Sequence, residues 1–292
     1  MTGAAAAFDP IWLAALRERA SQPPLRPRVR LLAGADAVGS VLPEMMHKIG
    51  TLPTSCIHSL LLKTEQNVNG EWQIAGHITR TLHQLACELR DADIGHVARH
   101  WRNELLAVHT AQGKRVGQVE RGAARTLGIA TRAAHLVGWS PDGRIWVQQR
   151  ALDKANDPGL WDTLVGGMVS AQDSVDTALA RETWEEAGLH LDALGAVQHG
   201  GRFTVRRPTD EPDDKSENSA AGAPIGMGIG IGYMVEDTDW YHCTVPDGSV
   251  PVNQDGEVAL FALLAPDELV ARLHCNEFTL EAALVLVAAL QT

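Results

Sequence analysis

Three glutamates, Glu182, Glu185 and Glu186, stand at i, i+3 and i+4 in the run Arg181-Glu-Thr-Trp-Glu-Glu-Ala-Gly188. On an α-helix this spacing places all three carboxylates on one face. Such a cluster repels itself unless a cation neutralises it. Arg181 supplies one positive charge and lies i−4 to Glu185, where it can hold that side chain. The remaining charge calls for a metal ion, and hard oxygen ligands select Mg²⁺ or Mn²⁺ over zinc, which prefers His or Cys. Mg²⁺ held by one or two carboxylates keeps several waters, so it is suited to bridging a substrate phosphate to an attacking water. For an isolated ExxEE triplet, a solvated acidic helix face is the competing reading.

The longer spacing decides between them. The stretch from Gly167 to Leu189 resembles the Nudix box, G-x5-E-x7-R-E-U-x-E-E-x-G-U, of the Nudix hydrolase superfamily. Gly167, Arg181, Glu182, Glu185, Glu186 and Gly188 match fixed positions, and Leu189 meets the final aliphatic. A chance match at six positions has a probability on the order of 10⁻⁵ at ordinary residue usage. Asp173 replaces a Glu that supports the box arginine, and Thr183 replaces an aliphatic. Asp is one methylene shorter, and the Thr hydroxyl can bond its own helix backbone.

The resemblance implies an α/β (α+β) chain: a Nudix fold over 129–292, with a mixed sheet sandwiched between helices, behind a small N-terminal α+β module over 1–128. By the same resemblance Glu182 and Glu186 are the main metal ligands, assisted by Glu185 and the Gly167 carbonyl, and Arg181 orients the glutamates. A metal-activated water then attacks one phosphorus of a diphosphate. Glu257 lies where many members place a further acidic residue, as base or fourth ligand.

A narrower resemblance rests on Arg150…Lys154…Pro158-Gly159-Leu160-Trp161-Asp162…Gly166-Gly167. It is similar to the segment before the box in a Nudix subgroup related to the Nudix part of thiamine pyrophosphokinase fusions. That subgroup is associated with hydrolysing thiamine diphosphate and its damaged analogues to monophosphates. Isopentenyl-diphosphate isomerases carry a similar run, but their protonation chemistry uses a cysteine, and none lies near the strands flanking this box in the arrangement that chemistry needs. Arg150 and Lys154 are expected to meet phosphate, with Trp161, Trp139 and Glu236 at a cationic ring. A nucleotide or nucleotide-sugar pyrophosphohydrolase is the enzymatic alternative, and a non-catalytic diphosphate sensor the alternative of another class.

These residues need elements to hold them. The box helix is expected over about 174–187, closed by Gly188. Before it, Ala133–Trp139 and Arg144–Gln149 read as strands joined by Ser140-Pro141-Asp142-Gly143. Strand signals return at 233–236, 240–245 and 257–264, and Pro266 opens a final helical pair. Pro208–Gly232 reads as a loop. In the N-terminal third, helices are expected at 9–20, 77–91 and 117–127, and strands near 28–33, 57–63 and 104–109. No chemical motif occurs there.

Composition sets limits. Of 292 residues 45% are hydrophobic and 21% charged, which excludes wholesale disorder. The 25 basic against 36 acidic residues leave a net charge of −11. A surface so acidic argues against a nucleic-acid polymer as partner. No apolar run reaches the ~18 residues of a membrane span, and Cys56, Cys87, Cys243 and Cys275 form no CxxC pair. A cytoplasmic enzyme acting on a small-molecule diphosphate is expected, with homodimerisation left open.

Overall fold

The computed structural model describes residues 8–51, 61–64, 70–209 and 230–291. Cys56, the expected strand start at 57–60 and most of the expected loop, 210–229, lie outside them. The chain opens with helix α1, Pro10–Arg19, whose N-cap Asp9 accepts from the Ile11 and Trp12 amides and whose first residue is proline. Strands β1 (Val29–Ala33) and β2 (Asp36–Val41), helix α2 (Pro43–Gly50), and strands β3 (Leu61–Thr64) and β4 (Glu71–Ile74) follow. They form a four-stranded sheet in the order β2-β1-β4-β3. Helix α3 (Ile78–Asp91) covers it through Leu82, Leu85 and Leu89, and the short helix α4 (Val97–His100) adds Val97.

A hairpin of β5 (Leu105–His109) and β6 (Arg115–Glu120) leads into a short helix α5 (Arg121–Ala124). The helix expected over 117–127 is therefore half strand. Pairing with β5 satisfies the β6 backbone, and Val119 and Glu120 turn inward.

The rest of the chain builds a seven-stranded sheet: β7 (Thr131–Trp139), β8 (Ile145–Arg150), β9 (Trp161–Asp162), β10 (Val165–Met168), β11 (Gln198–Thr209), β12 (Gly232–Thr244) and β13 (Val258–Leu264). The main path runs β11-β12-β7-β8-β13, with β10 paired to β7 and β9 to β8. Strand β12 runs parallel to β7 and every other pair is antiparallel, so the sheet is mixed. Helix α6 (Val175–Ala187) packs on one face through Leu179 and Ala187, against Ala134, Leu136 and Val165. Helices α7 (Pro266–His274) and α8 (Leu280–Gln291) cover the other, with Leu269 and Leu286 against Val137 and Val147.

Three buried clusters result, one in the N-terminal half and one on each face of the seven-stranded sheet, and they do not divide at residue 128. Phe8, Leu16 and Ala20 belong to the core under α7 and α8, so α1 packs with the second half of the chain. The two halves also meet through Arg28, which donates to the carbonyls of Ser40, Thr126 (2.8 Å) and Ile231 (2.5 Å). No helix among the described residues is long and apolar enough to cross a membrane.

Candidate active site

Local sequence sets the box helix. The Ser174 hydroxyl accepts from the Thr177 amide, while the Thr177 hydroxyl accepts from the Ser174 amide, a reciprocal cap on the first turn. At the far end Gly188 adopts φ 63°, which stops the helix. Thr183, fully buried, donates its hydroxyl to the Leu179 carbonyl at 2.6 Å, so an off-pattern polar residue is satisfied within the helix. The module steadies the loop before the helix, where the Ala171 amide donates to the Leu105 carbonyl of β5 at 2.7 Å.

The glutamates face β10 across a narrow gap. Glu186 is 2% exposed, and its Oε2 accepts from the Gly166 amide (3.0 Å) and Gln148 Nε2 (2.9 Å). Glu182 lies against Gly167 so closely that a Cβ there would come within 2.6 Å of Glu182 Oε1. Only glycine leaves room for that approach. Arg181 Nη1 reaches Glu185 Oε2 at 2.8 Å and Glu182 Oε1 at 3.0 Å, and Nη2 reaches Asp173 Oδ2 at 3.1 Å. The shorter Asp173 thus still holds the arginine.

This arrangement is short of positive charge. Burial raises the Glu182 carboxyl to about 7; Arg181 pulls it down and Glu185 pushes it up. Burial, reinforced by Glu182, raises Glu186 to about 8 despite the donors from Gly166 and Gln148. Two desolvated carboxylates driven toward protonation are what a hard cation would relieve. Gln148 Oε1, buried beside Glu186, has no hydrogen-bond partner among the described residues. No three acidic, imidazole or thiol groups among the described residues form a cage of their own. An ion such as Mg²⁺ takes one or two carboxylates and completes its shell with water and substrate phosphate. The donor set therefore fits such an ion.

The box opens on a cleft of about 1240 Å³, solvent at its mouth included. Glu257 and Lys154 both line it and form an ion pair with each other. Burial alone would raise Glu257, but the Lys154 bond and charge, with the fields of Arg121 and Arg150, hold it below the ordinary carboxylate range. Arg150 lines the cleft too, but donates to the Asn156 carbonyl at 3.0 Å and stands 3.4 Å from Asp162 Oδ2. Much of its capacity goes into shaping its own loop. Glu236, 7% exposed, faces the cleft from β12 and accepts from the Thr131 hydroxyl at 3.1 Å.

Two expected residues are elsewhere. Trp161 and Trp139 pack against the core under α7 and α8, with the Arg272 guanidinium 5.1 Å from the Trp161 ring centroid. The Trp161 amide donates to Glu277 and its carbonyl accepts from Thr279, so this strand end is tied to the helical layer. No Trp, Tyr or Phe among the described residues lines the cleft. Sequence reasoning missed Gln148, Glu281 and Arg207, which lie on elements read only for their pattern. Glu281 is partly buried near Glu236, with Arg207 Nη2 at 3.7 Å, and desolvation and Glu236 raise its carboxyl. It also missed Arg121 and Arg125, which come from the module.

An α/β/α layering with a carboxylate helix set over a glycine-rich strand defines the class, and the comparisons agree. Residues 130–282, just over half of the chain, match the NUDIX domain model. The chain belongs to the NUDIX family. It is 35% identical over 105 residues to the "Uncharacterized Nudix hydrolase PA4841" of Pseudomonas aeruginosa, covering 36% of this chain and 60% of that one. It is 28% identical over 215 residues to the "Nudix hydrolase 24, chloroplastic" of Arabidopsis thaliana, covering 66% and 51%. It is 30% identical over 132 residues to the "Isopentenyl-diphosphate Delta-isomerase" of Kocuria rhizophila, covering 45% and 61%. The matches thus span less than two thirds of these relatives' own lengths.

Proposed function

We propose that this protein is a Mg²⁺- or Mn²⁺-dependent pyrophosphohydrolase that cleaves an organic diphosphate to a monophosphate. The observation that carries the reading is the desolvated pair Glu182 and Glu186 opposite the Gly166–Gly167 backbone, with Glu182 and the more exposed Glu185 oriented by Arg181. In this reading Glu182 and Glu186 hold the ion, with Glu185 and the Gly167 carbonyl assisting. Bound there, the ion would supply a nucleophilic water and offset charge on the leaving phosphate. The chain's own residues do the rest. Gln148 and the Gly166 amide fix the Glu186 carboxylate, Arg181 fixes its neighbours, and Lys154 waits beside Glu257, ready to exchange that partner for a phosphate oxygen. Glu257, released, is the group placed to take a proton.

Thiamine diphosphate, with its oxidised or damaged analogues, is the first substrate candidate. Support comes from the acidic pair in the cleft wall, buried Glu236 and partly buried Glu281, which suits a cationic or donor-bearing ring. An isomerase reading draws on the relatives named as such, but none of the described cysteines, Cys87, Cys243 and Cys275, lines the cleft. The test is a panel of thiamine diphosphate, its oxo analogues, nucleoside diphosphates and triphosphates, and ADP-ribose with Mg²⁺. Phosphate release and product mass are the readouts. Fastest turnover of the thiamine compounds, giving a monophosphate, is expected. Preference for a nucleotide would remove the thiamine assignment, and no turnover of any compound would remove the hydrolase.

A further inference from the structure

Among the described residues six Lys or Arg side chains line the cleft, and five of them already have a carboxylate partner. Lys154 pairs with Glu257, Arg150 with Asp162, Arg181 with Asp173 and two box glutamates, Arg121 with Glu104 at 2.6 Å, and Arg207 with Glu281 at 3.7 Å. Arg125 has none among the described residues. It is half-buried at the end of α5, and its backbone is pinned because its carbonyl accepts from the Tyr233 amide of β12 at 2.9 Å. It also lines an adjoining cavity with Arg102, Arg121, His96 and His100, which no carboxylate among the described residues lines. In a chain of net charge −11, a half-buried guanidinium facing a basic recess is short of an anion.

We propose that Arg125, backed by Arg121, receives a phosphate group of the substrate, so that the binding site is shared between the N-terminal module and the NUDIX domain. This rests on the diphosphate reading above and extends it: the diphosphate is gripped by the box on one side and the module on the other. Arginine suits the task, because its planar fork can donate two parallel hydrogen bonds to one phosphate.

The test measures calorimetric binding of inorganic pyrophosphate, with Mg²⁺ present, to the full chain and to Arg125→Ala, Arg125→Lys and Arg115→Ala. Arg115 is exposed on β6 and outside the cleft, so its variant controls for loss of one charge. Arg125→Ala should bind at least about tenfold more weakly, Arg125→Lys should recover part of the loss, and Arg115→Ala should match the parent. Melting temperatures of all variants should agree, since the Arg125 side chain bonds nothing in the described fold. Competition by thiamine diphosphate or ADP for the pyrophosphate site is expected, because the phosphate bound is a substrate's. Undiminished pyrophosphate binding by Arg125→Ala would overturn the inference, as would no binding to the parent or lack of competition by either compound. If binding depends on Arg125 but no diphosphate is hydrolysed, the hydrolase reading fails and this one stands.

Discussion

At the scale of single residues the box is a balance of charge against burial. Glu186→Gln keeps the shape and the acceptor for Gly166 and Gln148 but removes a ligand charge, so turnover at saturating Mg²⁺ should fall by orders of magnitude. Asp173→Asn takes away only a support of Arg181, and a loss of about 10- to 100-fold is expected. Steady-state kinetics of the two variants, with Asp173→Asn the more damaged, would contradict this ranking. The raised carboxyls also make a pH prediction. Their ordinary value is 4.5, and the folded chain holds them at about 7 for Glu182 and about 8 for Glu186. Between those limits the folded state binds protons that the unfolded state releases, so metal-free stability should decline as pH rises through that window. Mg²⁺ binds the deprotonated form, so its affinity should climb over the same range and restore what is lost. Melting curves from pH 5 to 9, with and without Mg²⁺, check both. A flat metal-free profile would count against the burial of these groups.

At the scale of elements, some strands were legible and others were not. The helix α6 and the hairpin of β7 and β8 follow from glutamate spacing, Gly188 and the Ser140–Gly143 turn, because local chemistry alone specifies them. Strand β11 was missed entirely: QHGGRFTVRRPT has two glycines, three arginines and a proline, and only Val205 and Pro208 are buried. It exists because β12 supplies partners, and Pro208 is tolerated because β11 is an edge strand. Asp239 helps to fasten that edge. It is 3% exposed on β12 and accepts from Arg202 Nη2 at 2.7 Å and His199 Nε2 at 3.0 Å. Burial would raise its pKa, but these bonds and Arg132 outweigh that and hold it below the ordinary 3.8. Its contribution is thus present above that pH and is lost as pH falls through the depressed value. Asp239→Asn should cost about 1–3 kcal/mol at neutral pH, with the difference from the parent shrinking in acid. Chemical denaturation at pH 7 and pH 3 measures it.

At the scale of the whole molecule, sequence reading separated 1–128 from 129–292, and the packing ties them together. The boundary was drawn where the strand pattern changes; what the pattern cannot display is that α1 returns to cover α8, or that Arg121 and Arg125 reach the cleft. Leu16 is 2% exposed in the core under α7 and α8 although it lies far upstream, so Leu16→Ala should cost about 2–4 kcal/mol of stability. A fragment of 129–292 should lose solubility for the same reason, as size-exclusion chromatography would reveal. A monodisperse fragment with the parent's melting temperature would show that α1 is dispensable.

One guanidinium carries this union further. The fork of Arg28 reaches the carbonyls of Ser40 on β2 and Thr126 just after α5, and that of Ile231 at the start of β12. Ile231 itself lies in the core of the N-terminal half, so that core cannot open there without stranding carbonyls of both halves of the chain. The heat-absorption trace of the intact protein should therefore be one peak whose calorimetric and van't Hoff enthalpies agree. Arg28→Lys offers a single ammonium to acceptors on three segments and should pull that peak apart into two.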